Sequence, residues 1–529
     1  MGALAVLLLL AAAGSSAEER VIAGSGSTAP FPQPNVLEVV VDDLDRPLLD
    51  TMLGYNLLPN WAALKASGVS FDRHFTVNSV CAPSRAALLT GRYSHNNGVA
   101  CNSANCVGGG LGSITAFNHA NSQWAWLRAG GYRIGHFGKD INGRGSVPGA
   151  PANSPLNPTS VPPEFAPPST WQGTVDPYTY RAYGTRVNAD GVLVQYGTGL
   201  ADHQTRMLSG RAATWIAANK AAAPLWVYLA PVAPHVTGDY RLGTPTGAYS
   251  DIWLGVSFPD LRDAMWHPQA WQTAGTMPFY PAEKPTFNHP STITALARPA
   301  MSSTDIGRAA TQYRYRMLSM LAVDDALGQA IAAFGADQNL WVIVTSDNGR
   351  KHGERALAEK QLAFLEDSLV PLVIRGPACG PGVTGACVVP GLHNLDLTLN
   401  TDVAPTIAEI AGVTPGAVVD GRSLVPLLKG EVVTLWRKRA AIRHWKAIAG
   451  PEWDLFDFAR YDALITASTD ELPNRLYVEW PESGECELYA DAAQATNVCE
   501  ARPAEVAILA PLLASLRACA GQDCAAAEQ

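Results

Sequence analysis

The chain has 529 residues, is 47% hydrophobic and 16% charged, and carries a formal net charge of −9. Such a length and apolar content suffice for one large α/β domain with a smaller one beside it, and exclude a mainly disordered chain. The acidic balance excludes a general nucleic-acid-binding surface, which needs a basic stripe to displace counterions.

In chain order, the first predicted element is a signal peptide over residues 1–17, with an apolar run over 3–13 and small Ser15 and Ala17 before Glu18. No later stretch reaches the run of about eighteen uninterrupted apolar residues that a membrane span needs, so none is expected. Four apolar runs then end in polar residues: 36–41 before Asp42-Asp43, 132–138 before Lys139, 225–230 leading to His235, and 341–344 leading to Asp347-Asn348. Runs of this kind suit strands buried on both faces of a mainly parallel sheet, whose carboxyl ends form ligand crevices. The pattern predicts four strand ends converging on one site.

Helical periodicity falls over 210–222, 311–334 and 403–411, the last followed by Gly412. Alternating strands and helices predict a doubly wound α/β architecture. Two Pro-rich stretches, 147–173 and 238–299, are read as ordered loops around a pocket mouth. Beyond 430 the pattern changes: 476–480 and 487–489 read as strands of a small antiparallel sheet, and 506–519 as a helix packed on it. Residues 18–430 are therefore expected to form the main domain and 431–529 a smaller subdomain.

Of the nine cysteines, eight fall into sequence-local candidate pairs, Cys101 with Cys106, Cys379 with Cys387, Cys486 with Cys499 and Cys519 with Cys524, which leaves Cys81. Spacing leaves the connectivity open, but the set suits an oxidising compartment. The sequence has no Asn-x-Ser/Thr acceptor with x other than Pro, so N-glycosylation is not expected.

Cys81-Ala82-Pro83-Ser84-Arg85, followed by Leu89-Thr90-Gly91-Arg92, resembles the signature of the type I sulfatases. The resemblance implies an alkaline-phosphatase-like fold and conversion of Cys81 to formylglycine by a formylglycine-generating enzyme. One hydroxyl of the hydrated aldehyde would attack the sulfur of a sulfate ester, and the other would then expel sulfate. Asp42, Asp43, Asp347 and Asn348 match the family's Ca²⁺ ligands, with the formylglycine at position 81 completing the shell. Independently, hard oxygen donors of this kind suit Ca²⁺ or Mg²⁺. By the same resemblance Lys139 and Lys360 clamp sulfate oxygens, Arg85 pairs with the formylglycine or the ligand carboxylates, and His235 or Lys360 protonates the leaving oxygen. Pro83 also places Cys81 near a helix N-terminus, where amide donors favour an anion.

The resemblance is nearest to the arylsulfatase and N-acetylglucosamine-6-sulfatase branch, and this chain departs from it in places. Asn142 stands where many members carry histidine, and Arg350-Lys351-His352 moves the usual histidine by one place, so Asn142, Lys351 and His352 are expected substrate contacts. Glu366, preceded by Leu365, is displaced from the usual acidic position. The long basic block of heparan endosulfatases is missing, which favours a small aryl or monosaccharide sulfate over a polyanion. A glycan exosulfatase is the alternative; a phosphomonoesterase or phosphonate hydrolase and a non-catalytic binding relative are lesser ones. Trp253, Trp266 and Trp271 could wall a ring substrate. No nucleic-acid or membrane partner is expected. The expected location is the secretory pathway, ending outside the cell, in a cell-wall or periplasmic space, or in a lysosome.

Overall fold

The β-branched run Val39-Val40-Val41 ends the Asn35–Val41 strand, which is buried along nearly its whole length. It lies near the middle of the ten-stranded sheet of a computed structural model that describes residues 33–529 except 107–111, 236–272, 274–275, 338, 382, 384, 435 and 447–457. On one side the strand pairs in parallel with Leu340–Ser346; on the other it pairs in parallel with Leu225–Ala230, which in turn pairs with Arg133–Gly138. These are the four runs expected to share a sheet, and their carboxyl ends lie at one edge of it. Leu372–Arg375 adds antiparallel beyond Leu340–Ser346, and Arg186–Ala189 and Val192–Gln195 close the opposite side antiparallel.

Alternation along the central strand explains the two covering layers. Leu37, Val39 and Val41 face one core with Ala212 and Ile216 of the Gln204–Asn219 helix and Met317 and Leu321 of the Ser303–Phe334 helix. Val36 and Val40 face the other, with Ala82, Ala86 and Leu89 of the Cys81–Thr90 helix and Val403 and Ile407 of Val403–Ala411. The sheet is therefore doubly wound, as expected.

Two helices begin earlier than the periodicity suggested. Gln204–Asn219 replaces 210–222, and Ser303–Phe334 replaces 311–334 because Ser302 and Asp305 form a capping box. Ser303–Phe334 is long and apolar enough to cross a membrane, yet its apolar side is built into the sheet's core. Within 147–173, expected to be loop, Thr170–Thr174 is a strand beside Arg133–Gly138.

A second, four-stranded antiparallel sheet runs in sequence order through Arg439–His444, Tyr461–Thr466, Leu476–Trp480 and Glu485–Tyr489. Leu509, Leu513 and Leu516 of the Pro503–Ala518 helix pack with this sheet, and the same core takes in Phe75, Ala87 and Tyr93. The four disulfides join the candidate pairs, and Cys81 is free and buried. The signal peptide and Trp253, Trp266 and Trp271 lie outside the described residues.

Candidate active site

Each of the four strand ends delivers a polar side chain to the same buried space. Asp42 and Asp43 follow Val41, and Asp43 takes a left-handed φ of 63°. Its amide donates to Asp347 Oδ1 at 3.0 Å, which ties this turn to the one after Ser346. At Gly138 φ is 118° and a Cβ would collide with the Ala230 carbonyl, so glycine is required for the chain to turn and present Lys139.

Cys81 is the first residue of the Cys81–Thr90 helix, as Pro83 suggested. Its Sγ lies 3.9 Å from Asp42 Oδ1 and receives the Lys360 ammonium at 2.9 Å. One helical turn on, Arg85 Nε donates to Asp347 Oδ2 at 2.9 Å. Lys139 Nζ donates to Asp42 Oδ2 at 2.6 Å, and Lys360 Nζ also contacts the Asp43 carboxylate. His235 Nε2 is 3.6 Å from Asp43 Oδ2. The proposed catalytic residues and metal ligands are thus brought together.

Ligand atoms of Asp42, Asp43, Cys81 and His235 all lie within 4.8 Å of one another. Asn348 Nδ2 donates to Asp43 Oδ1 at 2.7 Å, while its buried Oδ1 has no hydrogen-bond partner among the described residues. An orphaned amide oxygen beside clustered carboxylates is what a hard cation would satisfy, so these residues fit Ca²⁺.

Burial dominates the electrostatics, and opposing charges decide each outcome. Burial would lower both ammonium groups, but the carboxylates, Asp42 for Lys139 and Asp43 for Lys360, hold them well above the ordinary lysine value. Burial pushes His235 down to about 3; Asp43 pulls the other way, and Lys360, Lys139 and Arg350 add to the lowering. Its imidazole is neutral here. Burial also raises the Cys81 thiol, despite Lys139 and Lys360, so an unconverted Cys81 would be a protonated and poor nucleophile.

The three expected substrate contacts separate. Asn142 Nδ2 donates to Tyr180 Oη at 2.8 Å, at the edge of the cluster. Lys351 is fully buried against the Asp367 carboxylate, which also accepts from Leu362 N at 2.8 Å, and so serves an internal ion pair. His352 contacts Arg316, whose guanidinium also reaches the Asp43 carbonyl and Asp45, the last at 2.9 Å. His352 therefore supports the back of the cluster. Glu366 pairs with Lys284 at 3.3 Å.

Three residues of the cluster were not among the site candidates read from the sequence. Arg350 donates to Asp43 Oδ2 at 3.3 Å and grips Glu359. It arrives beside Lys360 because Lys351 pairs with Glu359 in a short antiparallel ladder. Arg316 reaches in from the Ser303–Phe334 helix, and Tyr180 from the loop after Thr170–Thr174.

Comparisons with known proteins give the family and the fold. The sulfatase family model matches residues 34–413. An extracellular sulfatase SULF-1 homolog of Drosophila melanogaster is 27% identical over 422 residues, covering 78% of this chain but only 32% of that relative. The N-acetylglucosamine-6-sulfatase of Homo sapiens is 27% identical over 429 residues, covering 79% of this chain and 68% of that protein. Among solved structures, BT4656 in complex with its substrate D-glucosamine-2-N,6-O-disulfate superposes with a TM-score of 0.66 at 19% identity, over 91% of this chain and 97% of that one. The phosphonate monoester hydrolase of Agrobacterium radiobacter gives 0.59 at 24% identity, over 92% and 96%. These likenesses show the fold.

Proposed function

Because this chain belongs to the sulfatase family, a family of sulfuric ester hydrolases, we propose that it cleaves an aryl or small saccharide sulfate monoester, with Cys81 carried as formylglycine and Ca²⁺ bound at the strand ends. The observation that carries this reading is the position of Cys81 Sγ, 2.9 Å from Lys360 Nζ and 3.9 Å from Asp42, at the start of a helix and inside the buried cluster.

Asp42, Asp43, Asp347, Asn348 and the oxygens at position 81 would hold the Ca²⁺. The ion would supply polarisation of the sulfuryl group, and the formylglycine a geminal diol nucleophile. The chain's own residues do the rest. Lys139 and Lys360 remain charged and offer fixed positive donors to sulfate oxygens. Arg85, anchored on Asp347, keeps the carboxylates oriented. His235 offers a neutral imidazole N–H to the leaving oxygen, and Lys360 is a standing source of its proton. Burial of the cluster excludes water, so these charges act at low screening.

Maturation would need a formylglycine-generating enzyme, and the four disulfides support passage through an oxidising compartment, as expected for a secretory-pathway protein. A glycan exosulfatase of the N-acetylglucosamine-6-sulfatase type is the second reading, favoured by similarity to the human relative. Paired turnover assays separate the possibilities. We expect hydrolysis of 4-nitrophenyl sulfate well above 4-nitrophenyl phosphate, abolished by Cys81→Ala. Preference for N-acetylglucosamine 6-sulfate would select the second reading, and preference for phosphate would reject both.

A further inference from the structure

Tyr180 touches three of the side chains placed around the ester. Its ring lies 4.6 Å, centroid to centroid, from the His235 imidazole at an angle of 36°. The Lys139 ammonium lies 4.8 Å from the centroid of the same ring. Its hydroxyl accepts from Asn142 Nδ2 at 2.8 Å. The backbone on either side is fixed as well, because the buried Gln204 amide donates to Thr179 O at 2.8 Å and to Arg181 O at 3.0 Å. A ring held in this way is preorganised, and a preorganised ring restricts the groups packed on it.

We propose that Tyr180 is a positioning residue of the reaction, whose ring holds His235 and Lys139 in one register and aims the imidazole N–H at the leaving-group oxygen. The inference rests on the sulfatase reading above. The ring face suits the cation, since the π quadrupole attracts an ammonium without neutralising it. Packing against the imidazole removes rotational freedom that an isolated histidine would have to lose in the transition state. The hydroxyl bond to Asn142 fixes the ring's tilt and is secondary to the ring itself.

This role makes the effect of losing the ring depend on the leaving group. An acidic phenol departs with little help, whereas an alkyl alcohol needs the proton or hydrogen bond. The test is steady-state kinetics of formylglycine-bearing, Ca²⁺-loaded enzyme on a series from 4-nitrophenyl sulfate through phenyl sulfate to an alkyl sulfate. Tyr180→Leu should lower kcat about 10²-fold on the alkyl ester and much less on the nitrophenyl ester, with KM little changed. Tyr180→Phe should recover most of the loss and the wild-type dependence on leaving group. Should Tyr180→Leu fail to fold, Tyr180→Met removes the ring with a longer, flexible chain that adapts to the space left, and carries the same comparison. An equal loss on every ester, or a rise in KM alone, would make Tyr180 a structural or substrate-wall residue and overturn the inference. Wild-type enzyme inactive on all sulfates would instead sink the parent reading, so the two failures are distinguishable.

Discussion

Lys360 reaches Cys81 Sγ at 2.9 Å with the same ammonium that contacts the Asp43 carboxylate, so one side chain couples the nucleophile position to the cation site. Burial would ordinarily discharge such a lysine, and its carboxylate neighbours keep it protonated. Lys360→Ala should therefore lower kcat by about 10²–10³-fold. Ca²⁺ affinity should not fall, since the substitution removes a cation that competes for Asp43. Kinetics and Ca²⁺ titration on one preparation check both, and weakened Ca²⁺ binding would contradict the competition.

Ca²⁺ removal should inactivate the protein without unfolding it, because the ammonium groups of Lys139 and Lys360 lie against the Asp42 and Asp43 carboxylates and offset their charge. Readdition should raise the melting temperature with concentration; saturation about a hundredfold above Kd corresponds to about 2.7 kcal/mol. Asp43→Asn should lose that rise. A melting temperature indifferent to Ca²⁺ in the wild type would count against the assigned ligands.

Glu38, buried in the central strand, accepts from Gln123 at 2.7 Å and Trp226 at 3.0 Å, and burial raises its carboxyl from 4.5 to about 8. The folded state therefore keeps a proton that the unfolded chain releases. Stability from this group is complete below pH 4.5 and is lost progressively as pH rises to about 8, by about 1.4 kcal/mol per unit within that window. Glu38→Gln, which can still accept both bonds, should gain stability relative to wild type at pH 8 and not at pH 4.5. Denaturant melts at the two pH values decide it, and an equal difference at both would refute the assignment.

Glu528 is fully buried where it meets Arg437 at 2.9 Å, Arg422 at 2.8 Å and the Tyr93 hydroxyl at 2.6 Å. Glu528→Ala leaves Arg437 with the Asp402 carboxylate alone, at 2.7 and 2.8 Å, and removes the acidic partner of Arg422 and the acceptor of the buried Tyr93 hydroxyl, which should cost about 1–3 kcal/mol. Chemical denaturation measures it, and a loss under about 1 kcal/mol would mean that water replaces the carboxylate.

The sheet and the strand-end residues were legible because β-branched runs ending in Asp-Asp, Lys or Asp-Asn report both a buried strand and what it presents. Position 81 was legible from its motif and from the odd cysteine count. Tyr180, Arg316 and Arg350 were not: the 311–334 periodicity gives Arg316 a helix and Arg350 stands just after Asp347-Asn348, but neither pattern says that these side chains turn into the cluster, and Tyr180 comes from a loop. Lys351 misled for a related reason: its partner, Asp367, lies 16 residues further on and only the fold brings the two together. The early start of Ser303–Phe334 depends on the Ser302–Asp305 capping box, a local signal at the end of a Pro-rich stretch.

The claim on which the catalytic account depends is that residue 81 does not remain a cysteine. Peptide mass spectrometry of protein secreted from a host with formylglycine-generating activity tests it directly. The account predicts the mass loss of cysteine-to-formylglycine conversion on the peptide containing residue 81, in step with sulfatase activity across preparations. Unmodified Cys81 in folded protein that still hydrolyses sulfate esters would contradict it.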